Sequence, residues 1–69
     1  MITRKTFIER AVEVAGSQSA LARLLNVAPQ QVQQWCKAGR APAKHFGAIE
    51  QATNGMVTRV DLLRDVEAA

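Results

Sequence analysis

The sequence predicts an all-α fold, a compact bundle of five short helices, and three observations lead there. Nearly half of the 69 residues are hydrophobic, mostly Ala, Val and Leu, a composition that suits packed helices and argues against disorder. Apolar residues recur three and four positions apart within each stretch, the period of a helix with one buried face. Gly, Asn and Pro stand between those stretches as punctuation.

The first helix is expected from about Arg4 to Ala15, with Phe7, Ile8, Ala11, Val12 and Ala15 as its apolar stripe. Thr3 is one candidate N-cap. Thr6 with Glu9 fits a capping box and is the other, one turn later. Gly16 ends the helix, because glycine accepts the left-handed conformation beyond a helix terminus. Ser17 then caps a second helix, Gln18 to Leu25, whose apolar face is Leu21, Leu24 and Leu25. Asn26 tolerates positive φ and allows a tight turn, and Val27 within that turn plugs the core. Pro29 suits the first turn of a third helix, where its missing N–H costs nothing. That helix runs to about Lys37, with Val32 and Trp35 on one face.

The stretch around Gly39 reads as a loop, and Pro42 restarts a fourth helix that reaches about Thr53, with Phe46, Ile49 and Ala52 inward. Asn54–Gly55 ends it. Met56 and Val57 form either a loop or a short extended segment. Thr58 with Asp61 three residues on marks the N-cap of a last helix from Arg59 to about Val66, with Val60, Leu62, Leu63 and Val66 as apolar contacts.

At this length the chain makes one small domain, residues 1–69, with a thin core and no room for a deep cleft between lobes. Its one cysteine, Cys36, rules out an internal disulfide and a cysteine-based zinc site. The N-terminal stretch lacks the apolar core of a signal peptide, and no apolar run is long enough to span a bilayer. A reducing cytoplasm is the expected compartment. Glu9 and Glu13 stand one turn apart with no second catalytic partner. No nucleophile–base pair, metal cluster or phosphate-binding glycine loop occurs, so neither an enzyme nor a cofactor is expected.

The charge distribution says more than its total. Nine Lys and Arg stand against six Asp and Glu, yet no acid lies between Val14 and Ile49, where Arg23, Lys37, Arg40, Lys44 and His45 occur. A basic middle with acidic flanks suits a polyanionic partner. Four glutamines crowd the same region: Gln30, Gln31, Gln33 and Gln34. As good helix formers they can simply coat a wet face. As hydrogen-bonding fingers they can read a donor–acceptor code.

Two short helices joined at Asn26 and Val27 make a helix-turn-helix of helices 2 and 3. Ala22 falls where those helices approach, and Val27, Val32 and Trp35 fall where the second must be pinned. The spacing of Gln18, Ala22, Asn26, Val27, Val32 and Trp35 resembles the phage repressor and Cro type of helix-turn-helix. The segments GSQSALARLLNV, QQVQQW, GRAPA, AIEQATNG and VTRVDLLRD resemble the small Cro-like and YdaS-like regulators of lambdoid prophages, over roughly Val12 to Asp65. The chain departs from the family pattern at Asn26, where Gly is usual, and at Ala28, where a Ser- or Thr-type cap is usual.

The resemblance implies a sequence-specific double-stranded DNA-binding transcriptional regulator, a phage or prophage Cro-type repressor, with the 29–37 helix in the major groove. Glutamine can pair bidentately with adenine N6 and N7. Gln30, Gln33 and Gln34, opposite Val32 and Trp35, are the leading base readers. Lys37 can reach guanine or a phosphate, and Gln31, on the flank, is the remaining candidate. By the same resemblance Gln18 donates to a phosphate, with Ser17 and Ser19 alongside it at the helix start. Arg40 and Lys44 are placed to clamp the backbone.

Trp35 is expected in the core, His45 as an ordinary surface residue and Cys36 as a partly buried filler. Arg10 solvates the first helix; Arg4 and Lys5 stay open between that role and a phosphate contact. One module reads few base pairs, so a homodimer on a near-palindromic operator is expected. Met56, Val57 and Val60 are its candidate contact. The alternative is an antitoxin-like module that neutralises a protein partner, a role for which exposed apolar anchors would be the sign.

Overall fold

The computed structural model describes residues 5–68, which contain five α-helices, one 3-10 turn and no strand. Helix α1 is Phe7–Ala15, α2 Gln18–Leu25, α3 Pro29–Ala38, α4 Phe46–Ala52 and α5 Arg59–Ala68, with the 3-10 turn Ala43–His45 leading into α4. The all-α expectation is met. Helix α2 lies at the centre, packed on α1, α3 and α4, and α5 closes the bundle against α1 and α4.

Between the two candidate caps of α1, the structure uses the later one. The Thr6 hydroxyl accepts from the Glu9 N–H at 3.2 Å, and the Glu9 carboxylate accepts from the Thr6 N–H at 3.2 Å. The helix therefore starts at Phe7; Thr3 and Arg4 lie outside the described residues. Ser17 caps α2 by accepting from the Ala20 N–H at 3.0 Å, and Asn26 ends it in the left-handed region at φ 58°, ψ 45°. Helix α3 ends at Gly39, also left-handed at φ 82°.

The fourth helix differs from its expected span of Pro42 to Thr53. Pro42 stands outside it, extended at ψ 143°, and the chain first tightens into a 3-10 turn closed by His45 N–H to Pro42 carbonyl at 3.0 Å. That turn lays the His45 ring against Trp35, with ring centroids 4.9 Å apart, and delivers Phe46 to the core. His45 is thus half-buried packing and not the ordinary surface residue expected. Thr53 lies just past α4, fully buried; its hydroxyl donates to the Ile49 carbonyl at 2.9 Å and accepts from the Val57 N–H at 3.2 Å. This bond folds the 53–57 loop inward and buries Val57 completely. Val57 is therefore excluded from any contact with a second chain, and the Met56–Val57 stretch is a bend.

Ile8 and Ala11 of α1, Leu21 and Ala22 of α2, Val32 and Trp35 of α3, Ile49 of α4 and Leu62 of α5 meet in the core. Ala22 is buried, as the close approach of α2 and α3 requires. Val27, Ala52, Leu25 and Val66 pack on the core from its edge. Three expected core contacts are corrected. Leu24 is exposed because α2 turns Leu21, Ala22 and Leu25 inward. Val60 and Leu63 are exposed because α5 turns Leu62, Asp65 and Val66 inward instead.

Asp65 is buried, and its partners explain why. Its carboxylate accepts from the Phe7 N–H at 3.0 Å and from the Ile8 N–H at 2.9 Å. The first N–H groups of a helix have no partner within it. Thr6 supplies one of the missing acceptors and Asp65, from the far end of the chain, supplies two. A carboxylate at this terminus is also favoured by the helix dipole.

Candidate nucleic-acid interface

The outer face of α3 follows from its phase. At about 100° per residue, Val32, Trp35 and Cys36 share one sector and point inward, the first two buried and the third half-buried. Gln30, Gln34 and Lys37 then lie within about 40° of the opposite direction. Gln33 and Gln31 fall on the two flanks. All five are exposed. Trp35 keeps 7 % of its surface and packs at a tilt of 38° against His45, so it has no open face to offer a base.

The helix is fixed at both ends. Pro29 occupies its first position after Ala28, which has no side-chain acceptor. Gln31 compensates in part: its amide oxygen accepts from the Ala28 N–H at 3.2 Å, while its own N–H donates to the Ala28 carbonyl at 3.0 Å. At the C-terminal end, the N–H groups of Gly39 and Arg40 both donate to the Trp35 carbonyl, at 2.9 and 3.1 Å.

The expected phosphate-contacting groups fall into separate places. Ser17 and Ser19 are exposed at the start of α2, and Gln18 between them is half-buried. The Ser17 hydroxyl is occupied in capping, but it retains donor capacity. Ser19 shares a cleft of about 470 Å³ with Arg23, Asn26 and Pro29, between α2 and α3. Arg23 is exposed there, a cation that the sequence reading counted in the basic middle without giving it a contact. Its placement four residues after Ser19 on one helix was the available signal. Gln34 and Arg40 line a second groove of about 480 Å³ at the other end of α3, with Pro42 and Val66. Lys44 is exposed in the 3-10 turn.

Among the described residues, Arg23, Lys37, Arg40 and Lys44 have no carboxylate within 4 Å. Ion pairs occur elsewhere: Lys5 pairs with Glu13, and Arg59 with Glu50 at 3.8 Å. Glu9 and Glu13 are thus occupied separately, one in a cap and one in a surface pair. Arg10 lies over the Phe7 ring at 5.7 Å. Burial pushes the Cys36 thiol above its ordinary range; the Gln18 side chain pulls the other way, and the Glu9 charge adds to the rise. A protonated, half-buried thiol is a filler. No group of three potential metal ligands occurs among the described residues, and none of their helices is long and apolar enough to cross a membrane.

A family model described as "Bacterial toxin YdaS" matches residues 8–69. A protein of Escherichia coli (strain K12) named "Putative transcriptional regulator YdaS" is 47% identical over 60 residues, 86% of this chain and 61% of that protein. This chain therefore spans about three fifths of the length of that relative. Among solved structures, the Cro protein from "putative prophage element Xfaso 1" in Xylella fastidiosa strain Ann-1 superposes with a TM-score of 0.83 at 39% identity, over 88% of this chain and 94% of that one.

Proposed function

The chain belongs to the YdaS family, and from that premise we propose that it is a sequence-specific double-stranded DNA-binding transcriptional regulator, a Cro-type repressor of phage or prophage origin. One observation carries the reading: an exposed, acid-free face of α3, with Gln30, Gln33, Gln34 and Lys37 projecting from a helix whose other side is locked by Val32 and Trp35. The fold shared with a Cro protein supports it. In this reading α3 enters the major groove. The glutamines read base edges, each bidentate pair discriminating by ~1–3 kcal/mol. Lys37 reaches guanine or a phosphate. Ser17, Gln18 and Ser19 at the start of α2, together with Arg23, Arg40 and Lys44, hold the phosphates on either side.

The protein acts as a homodimer on a near-palindromic operator, its half-sites about 34 Å apart. Met56, Val60 and Leu63, 68, 61 and 48 % exposed, form the self-contact. The same exposed apolar residues favour a second reading, an antitoxin-like module whose partner is another protein. DNA reading and partner binding then use different residues of the surface.

Selection of random duplex DNA on the purified protein, followed by salt titration of the best binder, tests the proposal. The expected result is an inverted-repeat consensus that outcompetes random duplex at physiological salt. Binding without a consensus that vanishes as salt rises refutes base reading and moves attention to the apolar surface.

A further inference from the structure

Resting on the DNA-reading proposal, we infer that Gln31 is a positioning residue for the first turn of α3 and, through it, for Gln30, and does not itself read adenine. The four glutamines look alike in sequence, but the structure separates one of them. Gln31 bonds to Ala28 twice, backbone N–H to carbonyl at 3.0 Å and side-chain oxygen to backbone N–H at 3.2 Å. The two bonds close a ring around Pro29 and Gln30. This position needs such a ring, because Ala28 has no side-chain oxygen with which to cap the helix and Pro29 has no N–H to contribute.

The chemistry of the amide follows. A bidentate pair with adenine needs one donor and one acceptor from the same amide. The Gln31 oxygen already accepts from the Ala28 N–H at the start of the helix, so the donor–acceptor edge of this amide is committed to the backbone although one lone pair stays free. Gln30, Gln33 and Gln34 make no such bond among the described residues and keep both functions. Gln30 lies inside the ring, so the direction of its side chain is set by the bond that Gln31 makes.

The test compares the wild-type protein with Gln31→Ala, Gln31→Glu and Gln30→Ala by competition binding on single-base variants of the preferred duplex. Gln30→Ala identifies the base pair that Gln30 faces. A glutamate keeps an oxygen for the Ala28 N–H, so Gln31→Glu retains the wild-type ranking of variants, while its charge lowers affinity for all of them alike. Gln31→Ala removes the side-chain bond and leaves the backbone one alone to hold the turn, and discrimination at the Gln30 base pair falls about fivefold or more. In the free proteins the Ala28 amide exchanges faster in Gln31→Ala than in Gln31→Glu. Unchanged discrimination at that base pair in Gln31→Ala overturns the inference, as does an altered preference in Gln31→Glu at a base pair that Gln30→Ala leaves alone. A wild-type protein with no preferred duplex overturns the DNA reading and this inference together.

Discussion

Replacing Asp65 by alanine removes the acceptors of two N–H groups at once. The Ile8 N–H is buried, so its lost bond carries the full penalty of an unsatisfied donor, ~1–3 kcal/mol. The Phe7 N–H is only partly buried and can recover a water, so its loss is smaller, about 0.5–1 kcal/mol. Loss of a negative charge from the helix N-terminus adds ~0.3–1 kcal/mol. The sum is about 3 kcal/mol. Total stability at ~0.05–0.15 kcal/mol per residue is roughly 3–10 kcal/mol for a chain of this size, so the variant loses a third of it or more. For a domain of this size each kcal/mol shifts Tm by ~4–8 °C, which makes the expected fall about 12–24 °C by circular dichroism. Asp65→Asn keeps one side-chain oxygen and should fall between the two. A Tm within ~3 °C of wild type for Asp65→Ala, less than one kcal/mol on the same scale, would show that water replaces the carboxylate and that the tie between α5 and α1 contributes little.

Further perturbations address the interface and the surface. Gln33→Ala should relax preference at one base pair, while Lys44→Ala should weaken all duplexes alike and reduce the salt slope by ~1 in a log–log titration; a uniform loss from Gln33→Ala would remove Gln33 from the base readers. Val60→Asp should shift sedimentation toward monomer and weaken operator binding by about tenfold or more, with Tm within ~2 °C because the residue is exposed; an unchanged sedimentation profile would place the self-contact elsewhere. Because the Cys36 pKa is raised, alkylation by iodoacetamide should be slower than for a free thiol at pH 8 and should accelerate at higher pH than that thiol does. Rapid labelling at pH 7 would contradict the buried thiol.

Much of the fold could be read locally. Helices α2 and α3 start and stop where Ser17, Asn26, Pro29 and Gly39 say they should, because each of those residues acts on its own backbone. Most of the errors share one cause, dependence on distant partners; Thr53 and Val57, four residues apart, are the exception. No role for Asp65 could be read from its neighbours, because its N–H partners are 57 and 58 residues away. Val60 and Leu63 looked like core because the phase of α5 is set by what α1 and α4 offer it, which its own sequence does not contain. Thr53 and Val57 bury each other through a hydroxyl whose partners only the folded loop reveals.

For the candidate interface, exposure is what could be read. Exposure of Gln30, Gln33, Gln34 and Lys37 follows from helical phase alone. The turned-back amide of Gln31 was hidden because a capping box is recognised by its Ser or Thr, and Ala28 carries neither.

The tie from Asp65 to the first turn of α1 also bears on synthesis. Residues 7 and 8 leave the ribosome early, but their partner is made nearly sixty residues later. The contacts between α2 and α3 are local and can form early, whereas α1 keeps a frayed start until α5 has been made. Completion of the bundle is thus deferred to the end of this stretch of translation. Amide exchange at Phe7 and Ile8 should accordingly be faster in a chain cut short before residue 65 than in the 69-residue chain.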